Sequence, residues 1–340
     1  MEIVQLDSYA ANPGDISWHE WENLSHNGEK ITFTRYPRTA PEETVERAKD
    51  ACMVLTNKVL ITDEVMEQLP QLRYIGVLAT GYNVVDVEAA HRRGIIVTNI
   101  PAYSTMRVAQ HVFAHILNIT NRVQQHSEAV SAGRWQHSPD FTFWDFPLIE
   151  LDRMTIGIIG MGNTGTATAR IALAMGMKVL AYSSKGEATL RQLISGNAED
   201  TRIMKAESLA ALFSTADIVS LHCPLTPETK HIINSDSLRL MKKTAILINT
   251  GRGPLIDEEA LAKALTDGDI YAAGIDVLTT EPPVDGSPLT ALPNCFITPH
   301  TAWATRAARE RLLHIALDNI RAFLNGTPQN QVMGGWKVES

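Results

Sequence analysis

Three short stretches each place a chemically able residue just past an apolar run. "AILINTGRGPLID" sets Arg252 between Gly251 and Gly253, "AAGIDVLTTEPP" sets Glu281 before two prolines that stiffen its loop, and "FITPHTAWAT" sets His300 after a strand-like run. A guanidinium between glycines can clamp a carboxylate through two parallel hydrogen bonds. A histidine can exchange a proton with an alcohol or carbonyl oxygen near neutral pH. A carboxylate on its other ring nitrogen would fix the ring and favour its protonated form. Each also has a plainer reading when taken alone: Arg252 as half of a structural ion pair, Glu281 as a loop acid, His300 as a helix cap. What raises them above that is their common position, because in an open α/β sheet ligands sit at the carboxyl ends of the strands.

A fourth stretch suggests what they would work beside. "TIGIIGMGNTGTATARIALAMGMKVLAYSS" holds Gly160, Gly162 and Gly165 in G-x-G-x-x-G spacing, with Asn163 and Thr164 at the start of the helix that follows. An apolar strand precedes the loop and a second strand closes the unit, which is the context a dinucleotide-binding turn requires. Gly160 permits the tight turn, Gly162 lets the backbone approach a pyrophosphate, and Gly165 lets helix and sheet pack closely. The helix N-terminus offers N–H groups and a positive dipole to the phosphates. With a nicotinamide nearby, the arginine, glutamate and histidine describe reduction of a 2-oxo acid to a 2-hydroxy acid. The next strand end normally carries an acid that holds a ribose 2′-hydroxyl, but here it carries Ser183, Ser184 and Lys185. Hydroxyls and an ammonium can accept a 2′-phosphate, so the expectation leans to NADP(H) over NAD(H). The alternative is that Lys185 is a solvated surface lysine.

The elements that must position these residues are legible as alternation. In the first hundred residues the β-rich runs are "EIVQLD", "ITFTRYP", "CMVLTN", "RYIGVLAT" and "GIIVTNI", with helical stretches such as "PEETVERAKDA" and "TDEVMEQLP" between several of them. A second series runs through "TIGIIG", "KVLAYS", "DIVSLHC", "TAILINT", "AAGIDV" and "FITPH". This rhythm argues for parallel sheets covered by helices. Between the two series, Val108, Val112, Ile116 and Ile119 recur at helical spacing, and the pattern predicts one long helix ending before Gly133. "RWQHSPDFTFWDFPLIEL" then reads as an irregular aromatic arm, either an interface element or a loop folded over its own domain. A last helix, "RAARERLLHIALDNIRAFLNG", is expected to stop at Gly326, and the tail "GGWKVES" to be loosely held.

Composition bounds the rest. The chain has 340 residues, enough for two domains, with 44% apolar and 20% charged residues. The net charge of −8 and the lack of a basic block argue against a nucleic-acid partner. Cys52, Cys223 and Cys295 form neither a disulfide framework nor a metal-ligand spacing, so no metal is expected and a reducing compartment fits. The start "MEIVQLDSYAANPGD" shows no secretory leader, and no 18-residue apolar run suggests a membrane span, so a cytoplasmic protein is expected.

The chain resembles the D-isomer-specific 2-hydroxyacid dehydrogenases, and most the glycerate dehydrogenase or hydroxypyruvate reductase branch. The resemblance runs over nearly all of residues 1–330 and rests on "VLATGYNVVDVEAA", "PAYSTMRVAQHVFA", "SPDFTFWDFPLIEL", "VSLHCPLTPET", "INTGRGPLID", "DVLTTEPP" and "PHTAWAT". It implies catalytic roles for Arg252, Glu281 and His300. It implies a substrate-carboxylate loop at Ala79, Thr80 and Gly81, a nicotinamide-carboxamide partner at Asp276, and further cofactor contacts near Thr105, Cys223, Pro224, Thr229 and Thr250. It implies an α/β protein of two Rossmann-like parallel-sheet domains with a cleft between them. The substrate-binding domain would be discontinuous, 1–101 with 300–340, and the dinucleotide-binding domain 102–299 would include the long helix and a dimerisation arm, 103–150. A homodimer is implied, as is reduction of hydroxypyruvate and glyoxylate. A broader 2-oxo acid reductase is the alternative within enzymes, and a nucleotide-sensing corepressor-like scaffold the alternative outside them. Two departures stand out: Gly251 occupies a place where the family often has Ala or Ser, and the acid near Ser183 is missing.

Overall fold

The computed structural model describes residues 1–333. The tail from Gly334, read from sequence as loosely held, lies outside the described residues. The chain divides into two compact units, Met1–Ser104 together with the segment from Ala304 onward, and Thr105–Trp303.

The first unit holds β1 (Glu2–Gln5), a small hairpin of β2 (Ser25–His26) and β3 (Glu29–Lys30), then β4 (Thr32–Arg35), β5 (Met53–Thr56), β6 (Tyr74–Val77) and β7 (Ile96–Thr98). Five of these form a parallel sheet in the order β4-β1-β5-β6-β7. β5 and β6 are buried along their whole length, as parallel strands covered on both faces must be, and this is why they read as unbroken apolar runs. The intervening helices are capped as their sequences indicate. Thr62 accepts from the Val65 N–H, and Asp86 from the Ala89 N–H. Pro41 opens a short 3-10 turn that runs into helix Thr44–Ala48. The helix Arg306–Leu324 packs on this sheet, with Phe323 against Tyr74 at 4.9 Å. It ends at the expected glycine: Gly326 has φ +73° and donates to the Phe323 carbonyl.

The second unit holds β8 (Thr155–Ile159), β9 (Lys178–Tyr182), β10 (Ile203–Lys205), β11 (Ile218–Leu221), β12 (Ile246–Asn249), β13 (Ala272–Ile275) and β14 (Cys295–Ile297). All seven are parallel, in the order β10-β9-β8-β11-β12-β13-β14. Strand order reverses beside β8, so the loop after β8 opens at the topological switch point where ligands bind in such sheets. Because every strand runs the same way, Gly160, Ser183, Cys223, Thr250, Asp276 and His300 all follow strands at one edge of the sheet.

One expectation is corrected here. The long helix predicted to reach Gly133 is two helices, Thr105–Asn121 and Val123–Ser131. Arg122 between them is left-handed, at φ 50°, ψ 39°. Its guanidinium lies over Phe296 at 4.5 Å and over Phe146 at 5.0 Å. Cation–π contacts on both rings offset the cost of a left-handed non-glycine residue. The aromatic arm packs on its unit only in part: Phe143 and Phe146 lie against His126, and the Ile149 N–H donates to the Thr120 carbonyl. Phe141 is 90% exposed, and Trp135, Trp144 and Leu148 are also exposed.

The first of these helices lies close to β12 and β13 because Gly274 leaves room. A Cβ on Gly274 would stand 2.7 Å from the His115 Cβ, closer than real carbons approach. A strand glycine of this kind marks close approach of another element, and here that element brings His111 and His115 to the sheet edge.

Candidate active site

The glycine loop has the geometry that a phosphate cradle requires. Gly160 has φ +97°, and a Cβ there would meet the Cys223 backbone nitrogen at 2.5 Å. A Cβ on Gly165 would run into the Gly160 carbonyl oxygen, so helix Asn163–Ala174 can start this close to the strand only with glycine at that place. Gly162, in contrast, faces open space, with nothing within 4 Å of its would-be Cβ. No side chain caps this helix and no acid stands in its first turn, which leaves its N-terminal field available to an anion. The Thr250 hydroxyl, after β12, is buried with no hydrogen-bond partner among the described residues. An open glycine face, an uncapped helix start and an unsatisfied buried hydroxyl together fit a bound dinucleotide.

At the end of β9, the Ser183 Oγ accepts from the Lys185 N–H at 3.2 Å, and the Lys185 Nζ donates to the Met161 carbonyl at 3.1 Å. The ammonium is therefore folded over the glycine loop. The next acid in sequence, Glu187, is committed to Arg191 at 2.7 Å and to the Lys205 N–H at 2.8 Å. After β11, burial pushes the Cys223 thiol up to about 11. Thr229 closes the following turn by donating to the Pro224 carbonyl and accepting from the Thr226 N–H, each at 2.7 Å. Thr105 begins the long helix.

Arg252 is held by a residue that sequence reasoning missed. Asn249, fully buried at the end of β12, accepts from the Gly251 N–H at 3.0 Å and donates to the Arg252 carbonyl at 2.8 Å. That clamp fixes the turn from which the guanidinium projects. A Cβ on Gly251 would meet its neighbours only at 3.5 Å or more. The departure to glycine therefore reflects no steric demand.

Glu281 and His300 are in direct contact. The Glu281 Oε2 lies 2.6 Å from the His300 Nδ1, and the Glu281 Oε1 accepts from the Leu278 N–H at 2.9 Å. Since a carboxylate only accepts, Nδ1 carries the proton and Nε2 is the ring atom turned to other chemistry. Both flanks of the Glu281 loop are tied to Glu258. Its carboxylate accepts from the Thr279 N–H and from the Ser287 hydroxyl, each at 2.6 Å.

His300 sits in the left-handed region, φ 52°, a conformation that costs a non-glycine residue energy and persists only where the surroundings fix it. Asp276 is what fixes it. Its backbone carbonyl accepts from the His300 N–H at 2.8 Å, and its carboxylate accepts from the Thr301 and Ala302 N–H groups at 2.9 Å each and from the Thr298 hydroxyl at 2.6 Å. Burial would raise the Asp276 carboxyl, but the donors from His111, Thr298 and the backbone outweigh it and hold it below the usual carboxylate range. Resemblance gave Asp276 to a nicotinamide carboxamide. The structure gives its carboxylate a further part, since it is 1% exposed and also holds the His300 turn. In the first unit, the Ala79 carbonyl accepts from the Ile100 N–H at 3.0 Å and the Thr80 carbonyl from the Asn99 amide at 2.7 Å. In a trans peptide the N–H points opposite to the C=O, so the Thr80 and Gly81 N–H groups are turned the other way.

With this geometry in place, the comparisons are informative. Residues 113–302 match the family model described as D-isomer specific 2-hydroxyacid dehydrogenase, NAD binding domain. The chain belongs to the D-isomer specific 2-hydroxyacid dehydrogenases. It is 46% identical over 332 residues to a hydroxypyruvate reductase of Blautia hydrogenotrophica, covering 98% of this chain and 99% of that protein. It is 40% identical over 303 residues to a glycerate dehydrogenase of Methylorubrum extorquens, covering 88% and 91%. A solved acyclic imino acid reductase in complex with NADPH and D-Arg superposes with a TM-score of 0.78 at 30% identity, over 98% of this chain and all of that one. This family member is thus an oxidoreductase of CH–OH groups that uses a nicotinamide nucleotide, on two parallel-sheet α/β units. Among the described residues, no helix is long and apolar enough to cross a membrane.

His115 makes one property of the site measurable in stability. Burial, followed by the neighbouring His111 and opposed by Asp276, lowers its ring to about 4 from an ordinary 6.5. Between those values the unfolded ring takes a proton that the folded ring refuses, so stability falls as pH drops from about 6.5 and levels off below about 4. The full loss is about 3 kcal/mol. Urea unfolding at pH 7 and pH 5 is expected to show it, and His115→Leu to make the acid loss shallower.

Proposed function

We propose that this enzyme reduces hydroxypyruvate to D-glycerate, with glyoxylate as a second substrate giving glycolate. The carrying observation is the 2.6 Å contact between Glu281 and His300 Nδ1, which supports Nε2 as the nitrogen that exchanges the proton. It is supported by the similarity to a hydroxypyruvate reductase over nearly the whole of both chains. A bound nicotinamide nucleotide would supply the hydride to the carbonyl carbon. His300 Nε2 gives its proton to the carbonyl oxygen as negative charge grows there, and Glu281 offsets the positive charge the ring carries while both nitrogens are protonated. Arg252 clamps the substrate carboxylate, and Ala79 with the Thr80 and Gly81 N–H groups is the proposed substrate loop of the first unit. Arg252, Glu281 and His300 are thus the proposed catalytic set, and the first unit the proposed substrate-binding domain.

Gly160, Gly162, Asn163, Thr164 and Gly165 receive the pyrophosphate in this reading, and Thr250 the adjoining ribose. Preference for NADP(H) rests on the absence of a free acid after β9 and on Lys185 reaching over the glycine loop. A homodimer is supported by the exposed apolar side chains of residues 105–150, among them Leu117, Val123, Trp135, Phe141 and Trp144. The three cysteines are free, which is consistent with a cytoplasmic setting.

His300→Ala is expected to lower turnover of hydroxypyruvate by roughly two to four orders of magnitude, while the reduced nucleotide still binds. Near-normal turnover in that variant would sink the assignment. Ser183→Asp should shift kcat/KM toward NADH and away from NADPH by on the order of tenfold, about 1.4 kcal/mol, through repulsion of the 2′-phosphate. A parent enzyme that already discriminates strongly for NADH contradicts the phosphate-site reading. Light scattering should give twice the chain mass for the parent and a lower mass for Phe141→Glu with Trp144→Glu; a monomeric parent rules the dimer out.

A further inference from the structure

The helix Thr105–Asn121 presents Arg107, His111 and His115 at i, i+4 spacing, one above another on a single face. These polar side chains share the helix with an apolar stripe, and both histidines are buried. They are used by one hydroxyl. The Thr298 Oγ lies 2.9 Å from His111 Nε2, 3.2 Å from His115 Nε2 and 2.6 Å from the Asp276 carboxylate. Arg107 settles the direction of these bonds. Its Nη2 lies 3.1 Å from His111 Nδ1, and a guanidinium can only donate. His111 Nδ1 therefore offers its lone pair, and the ring proton sits on Nε2. His111 then donates to Thr298, with Asp276 Oδ1 also near at 3.3 Å. Thr298 donates its own proton to Asp276, and its second lone pair takes the His115 Nε2–H. The hydroxyl is then saturated, with one bond donated and two accepted.

We propose that Arg107, His111 and Thr298 form a positioning chain that aims the Asp276 carboxylate and, through it, the left-handed turn of His300. The logic is mechanical. Asp276 takes the N–H groups of Thr301 and Ala302 on its two carboxylate oxygens, so the rotation of that carboxylate sets the two peptides just after His300. The carboxylate is buried, and its remaining side-chain partners come from Thr298 and the helix histidine. The Thr298 backbone is part of the same turn, since its carbonyl accepts from the His300 N–H at 2.9 Å. Without the Thr298 hydroxyl, Asp276 Oδ1 loses its shortest bond and the carboxylate can rotate. The His300 ring then departs from the line fixed by Glu281. None of these three residues touches the reacting atoms, so they are positioning residues. The inference rests on the proposed acid–base role of His300.

Thr298→Val is nearly isosteric and deletes only the hydroxyl. In steady-state assays with hydroxypyruvate and reduced nicotinamide nucleotide, its kcat is expected to fall roughly ten- to a hundredfold, the scale of small misplacements of a reacting group. KM and the nucleotide dissociation constant, read by fluorescence, should stay within about twofold. Thr298→Ser, which restores the hydroxyl, should recover kcat. In a His300→Ala background, Thr298→Val should cause no further loss, because its effect runs through that ring. Parental kcat in Thr298→Val, or a loss that adds fully to that of His300→Ala, overturns the positioning chain. If Thr298→Val does not fold, the comparison passes to His111→Gln, which keeps a donor at the Nε2 position, and His111→Phe, which keeps the ring and loses it. Equal kcat in those two overturns the proposal as well. The two levels fail differently: near-parental turnover in His300→Ala removes the reading beneath this one, whereas an inactive His300→Ala with an unaffected Thr298→Val removes only the chain.

Discussion

The Asp276 carboxylate, buried just past β13, the strand next to the β14 edge of the sheet, is the point on which the rest of the site depends. A buried charge is costly unless it is well hydrogen-bonded, and here each bond that compensates it also fixes something else. Two bonds shape the turn after His300, one orients Thr298, and a fourth approach comes from the helix that carries His111. Removing one partner from such a network leaves the charge under-satisfied, which is why its members act as a unit.

The same economy of position appears around the glycine loop. Gly160 and Gly165 are needed because backbone occupies the space their side chains would fill, while Gly162 is needed because nothing does. Glu258 and Asn249 treat the other two strand-end residues alike. One ties the flanks of the Glu281 loop and the other brackets the turn of Arg252. The proposed functional side chains thus stand on strand ends but owe their aim to buried or half-buried polar neighbours.

Much of this was legible in the sequence, for identifiable reasons. Buried parallel strands read as unbroken apolar runs, so the main strands of both sheets could be placed, and a residue past such a run could be assigned to the ligand-binding edge. The short edge strand Ile203–Lys205 and the small hairpin were missed because they are brief and half-exposed. The break at Arg122 was missed because periodicity continues across it. At the break the Arg122 guanidinium is stacked on Phe296, 174 residues further on. The tie of His111 to Thr298 spans 187 positions, and no local pattern announces a contact of that range. Its only local trace was a polar i, i+4 stripe beside an apolar one. Glu258 had no trace at all, since an acid in a first helical turn is the ordinary state of helices.

The sheet order also sets where the molecule can open without coming apart. The phosphate loop follows β8, in the middle of the seven strands, whereas His300 follows β14, an edge strand three residues long and only half-buried. Edge segments with few buried contacts open at lower free energy than the core. Amide exchange at the β14 edge will therefore outrun exchange at β8. With His300 and the glycine loop in their proposed roles, a molecule caught with that edge lifted would still hold its nucleotide while being silent toward substrate, so a binding titration and an activity titration of the same sample would count different populations.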